Sequence, residues 1–499
     1  MPGGFVLFEK KALVMDNETY IFEEMPVPRA VTKLAVPTVI SQIVTMIYNL
    51  ADTFFIGQLA NPAMSAGVSL VSPYFNLLTA LGNLFGLGGG SLISRMLGSG
   101  DEADVKYVSA FALWGGFAAT ALFSAATFLF RAPVLRFLGA LDENAAYAET
   151  YLNWVVILGG VPTMAGLALG NLLRSEGHAR EASAGMMFGG ILNLILDPIL
   201  IFALRMDVAG AAIATALSNL ASVGFFAAVY MHLRGRTLMS FRARYFTFRF
   251  TGKIFSVGLA SAISTALGNA STMVMMNLAS AYGTVAEAAY GIVKRIDQFP
   301  LNVSMGLCQG FMPLVGYNYA SGNYKRMRGV AAFSWKVSLV ISACFVAAFL
   351  AFASPIVHRF IPDAGTSALG AAFLRIACLS VPLTAINFMT SYTLQAMGKG
   401  LQSALITVCR QGVLYIPAML VLEAARGLDG LIWAQPVIEA LMLPITFGIY
   451  FHTLRHLPQT ARLKPCGVLL YVQIIAGAVI GIVLFAALIL QYGHVRGDD

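Results

Sequence analysis

Asp52 is an acidic residue inside an apolar part of the chain, in the segment NLADTFFIGQL. The apolar run around it begins after Lys33, and no basic residue lies near Asp52 in the sequence. A carboxylate at the centre of a membrane-spanning helix costs about 2.5 to 3.5 kcal/mol on insertion scales, so it needs a proton, a cation or a partner. Asp52 therefore predicts a functional acid, and the alternative is a structural carboxylate that hydrogen-bonds a neighbouring helix.

Asp197 is a second acid of this kind, in the segment GGILNLILDPILIF. Asn193 lies four residues earlier, so the two side chains would share one face of a helix. Pro198 follows directly, and its ring removes a backbone hydrogen bond and crowds the carbonyl of Leu194, which predicts a bend and a freed carbonyl oxygen. Two carboxylates, an amide and a free carbonyl suit a proton or a small hard cation, because oxygen is the matching ligand.

The composition predicts an integral membrane protein, because 58% of the 499 residues are hydrophobic and only 11% are charged, with a mean hydropathy of +0.75. Ordinary soluble domains carry about 25% charged residues. The net charge of +8 does not indicate nucleic acid, since the Lys and Arg residues lie mostly in short loops and form no continuous basic face. The five cysteines are scattered singly and the histidines lie in loops or near span ends, so we expect no disulfide framework, metal cluster or cofactor.

Runs of apolar residues long enough to cross a membrane recur along the chain, and a spanning helix needs about 20 such residues. They predict an all-α, polytopic fold with spans at 34–60, 65–97, 106–130, 146–173, 181–205, 208–233, 252–281, 286–318, 330–352, 368–397, 401–424 and 430–455. A last apolar run, 466–491, predicts a thirteenth helix at the C-terminal end.

The predicted spans form an internal repeat. GSGD begins at residue 98 and ASGN at residue 320, 222 residues apart, and each motif follows an apolar run. At nearly the same offset, YLNWVVILGGVP (151–162) corresponds to FLRIACLSVP (373–382). Residues 34–233 and 255–455 are therefore predicted to be two lobes of six helices. Because six is even, the lobes insert in parallel and are related by a pseudo-two-fold axis along the membrane normal.

The loop charges predict the orientation, because most Lys and Arg residues of the short loops fall on one side of the spans. This side is the cytoplasmic one, so residues 1–33 form a cytoplasmic lead-in and residues 234–254 a cytoplasmic linker between the lobes. A better-patterned segment opens at Met15, and we expect the first 14 residues to be dispensable. The chain is expected to be a monomer in the inner, cytoplasmic membrane.

Several motifs together resemble those of the multidrug and toxic compound extrusion family. These are NLADTFFIG in the first span, NLILDPILIF in the fifth and QGFMPLVGYNYASGNYKRM (309–327) after the eighth. NLFGLGGGSLISRMLGSGD is most similar to the MepA-type branch of that family. The resemblance covers about residues 34 to 455. It implies an exporter of bulky, mostly cationic drugs whose two lobes alternate between inward-open and outward-open states, driven by protons or sodium ions.

The resemblance also implies a cation site in the first lobe and a substrate cleft. The cation site, which would hold a proton or sodium, maps onto Asp52, Asn193, Asp197 and Thr215, with Tyr48 and Asn171 nearby. The second lobe departs from members that have an acid in the seventh span, because residues 252–281 contain no Asp or Glu. The candidates for the substrate cleft are Asp297, Glu439, Gln309 and Asn277.

Two other functions remain open on the sequence alone. A flippase for lipid-linked precursors shares the two-lobe plan, but it should carry several basic residues in its cleft. The intramembrane candidates for that role are Lys294, Arg295, Arg410, Lys336 and Arg375, all in the second lobe. A membrane-embedded transferase would need clustered DxxxD carboxylates or an intramembrane histidine, and the sequence has neither.

Overall fold

The computed structural model describes residues 19–59, 61–140, 143–361, 363–455 and 457. Most of the chain within these ranges is helical, and none of it is β-strand, as the apolar runs predict. The predicted thirteenth helix, 466–491, lies outside the described residues, and so do the first 18 residues of the predicted lead-in.

From Val27 onward, the first half of the described chain contains eight α-helices. They are α1 (Val27–Gly57), α2 (Pro62–Ser99), α3 (Glu102–Leu129), α4 (Arg131–Phe137), α5 (Ala145–Leu152), α6 (Gly160–Ser175), α7 (Ala179–Pro198) and α8 (Asp207–His232). Wider, π-helical segments follow α5 at Asn153–Leu158 and α7 at Ile199–Ala203. The linker after α8 contains one 3-10 turn, Ala243–Tyr245.

The second half of the described chain contains seven α-helices. They are α9 (Thr251–Ser280), α10 (Thr284–Ala320), α11 (Tyr324–Phe360), α12 (Ala364–Ala377), α13 (Val381–Ala396), α14 (Gly400–Val408) and α15 (Tyr415–Arg455). A 3-10 turn, Cys378–Ser380, joins α12 to α13, and a π-helical segment, Cys409–Val413, follows α14.

The twelve predicted spans between residues 34 and 455 fall mainly on helix, within the part of the chain that the structure describes. Nine helical stretches of the described ranges are long and apolar enough to cross a membrane, and the pair Ala145–Leu158 and Gly160–Ser175, bent by 48°, adds a tenth. The stretch Gly400–Arg455 has 56 residues and leaves helical geometry at Gly427, so it provides two spans. The helix α10 is long enough but less apolar, because it carries Glu287, Lys294, Arg295 and Asp297.

The repeated motifs GSGD and ASGN have the same structural role, which is to end a helix. Gly100 follows α2 with φ of 82°, and its N–H donates to the carbonyl of Met96. Gly322 follows α10 with φ of 76°. This left-handed conformation is strained for residues with a Cβ atom, so glycine at the third position of both motifs follows from the turn.

The described helices pack into two compact units. Among the described residues, unit 1 contains 19–270 together with 302–334 and 392–407, and unit 2 contains 271–301, 335–391 and 408–457. The predicted lobes, 34–233 and 255–455, are defined by the repeat, whereas these units are defined by packing. The boundaries of the lobes therefore stay a prediction.

Unit 1 joins helices of the first repeat to segments of the second. A methyl group added at Gly306 of α10 would lie 2.6 Å from Cα of Val39 on α1, so the two backbones are nearly in contact. On the same pair of helices, Nε2 of Gln42 donates to Oε1 of Gln309 at 3.1 Å. Small residues permit such close helix packing in membranes, and amides add hydrogen bonds across it.

Residues 19–25, called the N-terminal strap here, fold against unit 1. Phe22 is 2% exposed, and its ring stacks on Tyr317 with a centroid distance of 4.8 Å. Its carbonyl accepts hydrogen bonds from Nδ2 of Asn318 at 3.1 Å and Nε of Arg326 at 2.7 Å. A methyl group at Gly177 would lie 3.3 Å from the same ring. Phe22 therefore bridges the α6–α7 loop and the α10–α11 region.

Candidate functional site

Three helices of unit 1 bring the predicted cation-site residues together. Asp52 lies near the end of α1, Asn193 and Asp197 lie on α7, and Thr215 lies on α8. The helix α7 packs against both α1 and α8. Asp197 is completely buried and Asn193 is 2% exposed, so the polar face of α7 points into the unit and its apolar residues point outward.

Glycines on α7 allow this close approach. A methyl group at Gly190 would lie 2.7 Å from the ring of Tyr48 on α1, so only glycine accommodates that tyrosine. A methyl group at Gly189 would lie even closer to the hydroxyl oxygen of Ser222 on α8. Gly189 and Gly190 are the first two residues of GGILNLILDP, so α7 approaches its neighbouring helices closely about one turn before Asn193.

Asn193 connects the two helices that carry the site. Its Nδ2 atom donates to Oδ1 of Asp197 at 3.3 Å and lies 3.5 Å from Oγ1 of Thr215. Thr215 in turn donates from Oγ1 to the carbonyl of Ala211 at 3.1 Å. The amide group therefore holds Asp197 in place and ties it to α8.

A cavity of about 370 Å³ opens beside these residues within unit 1. Asp52, Asn193 and Thr215 line it, and Asp197 is connected to it through Asn193. Other lining residues are mainly aromatic or polar, and they include Tyr48, Asn49, Phe75, Asn76, Tyr151, Thr163, Asn219 and Phe226. The site therefore combines buried oxygen atoms with space for a small molecule.

Three oxygen atoms of the site have no hydrogen-bond donor among the described residues. They are Oδ1 of Asp52, Oδ1 of Asn193 and Oδ2 of Asp197, and all three are buried. An unsatisfied buried acceptor costs about 1 to 3 kcal/mol, and more when it is charged. Such a set is the complement of a proton or a small cation, since either would satisfy acceptors that the protein leaves open.

No cluster of three or more His, Cys, Asp or Glu side chains with the geometry of a metal site occurs in the described part of the chain. A cation bound here would therefore use two carboxylates with an amide and hydroxyl groups. Sodium accepts such neutral oxygen ligands, as other hard cations do.

Tyr151, which the sequence analysis did not single out, belongs to the site. It is 6% exposed, lines the cavity, and interacts electrostatically with Asp52, Asp197 and Tyr48. Its position at the end of α5, directly before the π-helical segment Asn153–Leu158, brings its ring into the unit. The repeat motif YLNWVVILGGVP begins at Tyr151, and this motif is the sequence feature that could have pointed to the residue.

Pro198 marks a change of helix type, as its lack of an N–H predicts. The helix α7 ends at this residue and continues as the π-helical segment Ile199–Ala203. Such segments are rare and occur frequently at functional sites. Two residues other than glycine follow in the left-handed region, Arg205 in the turn with φ of 54° and Asp207 at the start of α8 with φ of 48°.

The structure does not bring Asn171 to this cavity. Asn171 is buried near the end of α6, where its Oδ1 accepts a hydrogen bond from Nη1 of Arg174 at 2.9 Å. Both side chains line a separate, smaller pocket together with Ser91 and Gln309. Arg174 is itself only 3% exposed.

The candidates for the substrate cleft are divided between the two units. Gln309 pairs with Gln42 in unit 1, as described above. In unit 2, Asp297 accepts a hydrogen bond from Gln435 and interacts electrostatically with Glu439. Asn277 lies on the exposed face of α9. Asp297 and Glu439 are thus the two candidates that the structure groups together.

Glu439 has a cationic partner that the sequence analysis did not assign to it. Nη1 of Arg410 lies 2.7 Å from Oε1 of Glu439, and the two side chains are 7% and 5% exposed. Nδ2 of Asn387 donates to the other carboxylate oxygen, also at 2.7 Å. The sequence shows both charges but not their pairing, because they lie 29 positions apart on different helices.

Comparisons with known proteins agree with this architecture. The family model MatE matches residues 37–199 and again residues 260–421, so each half of the chain carries one copy of the family domain. The multidrug export protein MepA of Staphylococcus aureus strain MRSA252 is 32% identical over 426 residues, which is 85% of this chain and 94% of that protein. MepA of Staphylococcus saprophyticus matches to the same extent.

Solved structures of similar fold are transporters. MATE in complex with MaL6 has a TM-score of 0.82 at 24% identity and covers 87% of this chain and 97% of its own. The outward-facing conformation of a multidrug resistance MATE family transporter of the MOP superfamily has a TM-score of 0.80 at 25% identity, covering 85% and 95%.

A polytopic helical protein with acids buried beside a polar cavity belongs to the class of membrane transporters, and the family match and the structural neighbours agree with that class. The chain belongs to the MATE family, the multidrug and toxic compound extrusion transporters. It is therefore a multi-pass transporter and not an enzyme, which excludes the embedded transferase. The predicted family and the predicted all-α, two-lobe fold class are confirmed.

Proposed function

We propose that this transporter is an antiporter that exports bulky, mostly cationic amphipathic drugs in exchange for protons or sodium ions. The observation that carries the proposal is the set of three buried oxygen atoms, on Asp52, Asn193 and Asp197, that lack donors and adjoin the cavity of unit 1. Relatives at 32% identity are named multidrug export protein MepA, and that name supports the export of drugs.

The two carboxylates supply the coupling. Two nearby negative charges in a buried site are unfavourable unless a proton or cation neutralises one of them. Asp52 and Asp197 interact electrostatically, so loading of one affects the other. Loading then favours one conformation of the transporter over the other, because a ligand shifts an equilibrium only through its different affinities for the two states.

The cavity of unit 1 also suits the drug itself. Its volume of about 370 Å³ lies within the range of about 300 to 1,000 Å³ that small-molecule pockets have. Tyr48, Tyr151 and Phe226 provide aromatic surface, and Asp52 provides a negative charge at the same wall. Aromatic faces attract organic cations. A cationic drug and the coupling ion would therefore compete for Asp52, and exchange follows from that competition.

Pro198 provides the element that changes shape. The π-helical segment after it forms hydrogen bonds between residues five apart, where the preceding helix bonds residues four apart, so it can revert to α-helix when the acids change their charge. In the membrane, the N-terminus lies in the cytoplasm and the chain acts as a monomer. The N-terminal strap is then on the cytoplasmic side, where it holds the α10–α11 region.

The proposal is tested by transport in proteoliposomes that contain the purified full-length protein. Uptake or export of a fluorescent organic cation is measured with a proton gradient and a sodium gradient imposed separately. We expect one gradient to drive transport in the wild type and neither gradient to drive it in Asp52→Asn or Asp197→Asn.

Asp207→Asn is the matched control, because Asp207 is an acid of the same unit that does not line the cavity. It should transport as the wild type does. Transport at the wild-type rate with unchanged ion dependence in either Asp52→Asn or Asp197→Asn would refute the coupling role. Transport of a lipid-linked pyrophosphate in place of the cation would favour the flippase.

A further inference from the structure

Unit 2 contains a buried ion pair that the coupling scheme does not use. Arg410 and Glu439 are in contact at 2.7 Å, and both side chains are more than nine-tenths buried. Placing such a pair in a low-dielectric interior costs several kcal/mol of desolvation per ion, and well-packed apolar residues would often be as stable. The pair is therefore poorly explained by stability alone.

Three neighbouring side chains, Asn387, Thr446 and Phe388, hold the two members of this pair in place. Asn387 donates from Nδ2 both to Oε2 of Glu439 at 2.7 Å and to its backbone carbonyl at 3.2 Å. Thr446 donates to Oδ1 of Asn387 at 2.8 Å, which fixes the orientation of the amide. The guanidinium carbon of Arg410 lies 4.5 Å from the ring centroid of Phe388. A carboxylate beside an aromatic face is a cation site, and here a side chain of the protein fills it.

Unit 2, like unit 1, has a π-helical segment beside a buried acid, although the two segments do not lie at equivalent positions of the repeat. Arg410 lies in the π-helical segment Cys409–Val413, in the fifth span of the second repeat. In the first repeat the fifth span is α7, and the π-helical segment Ile199–Ala203 follows it. In unit 1 the acids beside that helix leave oxygen atoms open for an external cation. In unit 2 the acid Glu439 is already neutralised by a cation that is covalently part of the chain.

We propose that Arg410 is a built-in counter-cation that occupies Glu439 and keeps organic cations from it, so that this pair determines which charge class of substrate unit 2 accepts. The inference rests on the proposed drug transport and names a specificity-determining residue for it. Asp297 interacts electrostatically with both Lys294 and Glu439, so the charged cluster of unit 2 extends beyond the pair.

The physical basis is the cost of leaving one member of a buried pair alone. Without Arg410, the carboxylate of Glu439 and the face of Phe388 would lack their cation, and an organic cation would restore both contacts. Without the charge on Glu439, the guanidinium of Arg410 would lack its anion and would favour an anionic ligand. With both charges removed, neither preference should remain.

The test is equilibrium binding to the purified full-length protein in detergent, measured by titration calorimetry with two probes of nearly equal shape and opposite charge. The probes are tetraphenylphosphonium and tetraphenylborate. Arg410→Met should bind the phosphonium about tenfold more tightly than the wild type does, and Glu439→Gln should bind the borate about tenfold more tightly. The double variant should return both affinities to within about twofold of the wild type.

Arg359→Met is the matched control, because it removes an exposed guanidinium group of the same unit, and it should bind both probes as the wild type does. The inference is overturned if Arg410→Met binds the phosphonium no more tightly than the wild type, or if both probes change together, which would indicate altered packing. If Arg410→Met does not fold, Glu439→Gln with the borate decides the question in the same way.

These measurements need no ion gradient, so they are independent of the coupling test. A change of charge preference in Arg410→Met together with absent gradient-driven transport in the wild type would keep this inference and refute the antiport. An unchanged charge preference in Arg410→Met together with gradient-driven transport in the wild type would keep the antiport and assign the ion pair a structural role only.

Discussion

Asn193 and Asp197 lie one turn apart on α7, and the amide nitrogen of Asn193 donates to Oδ1 of Asp197 at 3.3 Å. The same nitrogen lies 3.5 Å from the hydroxyl of Thr215 on α8. The amide nitrogen of Asn193 thus donates to protein acceptors. The amide oxygen of Asn193 and Oδ2 of Asp197 both remain open as acceptors. One side chain therefore both positions the coupling acid and contributes a ligand to whatever neutralises it.

Replacing Asn193 tests this double role. Asn193→Leu keeps the size of the side chain but removes the donor and the acceptor, so we expect gradient-driven transport to fall by about tenfold or more. Asn219→Leu is the comparison, because Asn219 also lines the cavity but donates to Thr163 instead of an acid. It should change drug affinity and leave the dependence on the ion gradient intact. Equal loss of coupling in both variants would contradict the role of Asn193.

Tyr151→Phe removes one hydroxyl group from the neighbourhood of both acids. The ring stays packed, so folding should be unchanged, and the apparent affinity for the driving ion should fall by about fivefold because the site loses an oxygen ligand. The measurement is the transport rate at a series of concentrations of the driving ion. Tyr147→Phe, one turn earlier on α5, is the control and should behave as the wild type does. An unaltered ion affinity in Tyr151→Phe would remove that residue from the site.

Phe22→Ala should loosen the side of unit 1 that the N-terminal strap covers. Removing a buried phenylalanine costs about 3 to 5 kcal/mol, and here the loss falls on contacts to Tyr317 and to the loop at Gly177. We expect a cysteine introduced at the buried position Ser94 to react faster with a maleimide, in a background without the natural cysteines. Tyr20→Ala, at an exposed position of the same strap, should leave the reaction rate unchanged. Equal maleimide reaction rates in Phe22→Ala and Tyr20→Ala would show that the strap does not control access to position 94.

Asp363 should stabilise α12 in a pH-dependent way. Its carboxylate accepts hydrogen bonds from the N–H and the hydroxyl of Thr366, at 2.8 and 2.7 Å, and these bonds lower the pKa of Asp363 below its usual value of 3.8. Since the folded pKa is the lower one, the stabilisation is present above pH 3.8 and is lost as the pH falls through the folded pKa.

Asp363→Ala should therefore lower Tm relative to the wild type at neutral pH, and the difference should shrink in acid. Thermal unfolding followed by circular dichroism over a series of pH values measures it. A difference in Tm that stays constant into strong acid would show that the hydrogen bonds to Thr366 do not act through the charge.

The sequence contained enough information to predict the spans and most of the first site. Apolar runs define where helices cross the membrane, and an acid inside such a run is costly enough to predict function, as for Asp52 and Asp197. Spacing along one helix also predicted that Asn193 would accompany Asp197. The family resemblance added Thr215, and the structure places it beside Asn193.

Pairings between helices could not be predicted in this way. A helix that is apolar all round has no periodic pattern to show which face meets a neighbour. Tyr151 was overlooked for that reason, since it reaches the acids from another helix. Arg410 and Glu439 were each noted, but their contact depends on how α14 and α15 pack. Asn171 shows the reverse case, because its hydrogen bond with Arg174 on its own helix places it elsewhere.

The most direct test of the central claim is to measure what leaves the protein when drug binds. Tetraphenylphosphonium is added to purified wild-type protein in weakly buffered detergent solution, and the released protons are followed with a pH indicator while displaced radioactive sodium is counted in parallel. If Asp52 and Asp197 hold the coupling ion, the wild type should release about one proton or sodium ion per bound drug, and Asp52→Asn and Asp197→Asn should release much less. Release of the same amount from either variant, at full drug occupancy, would contradict the claim that these two acids exchange the coupling ion for drug.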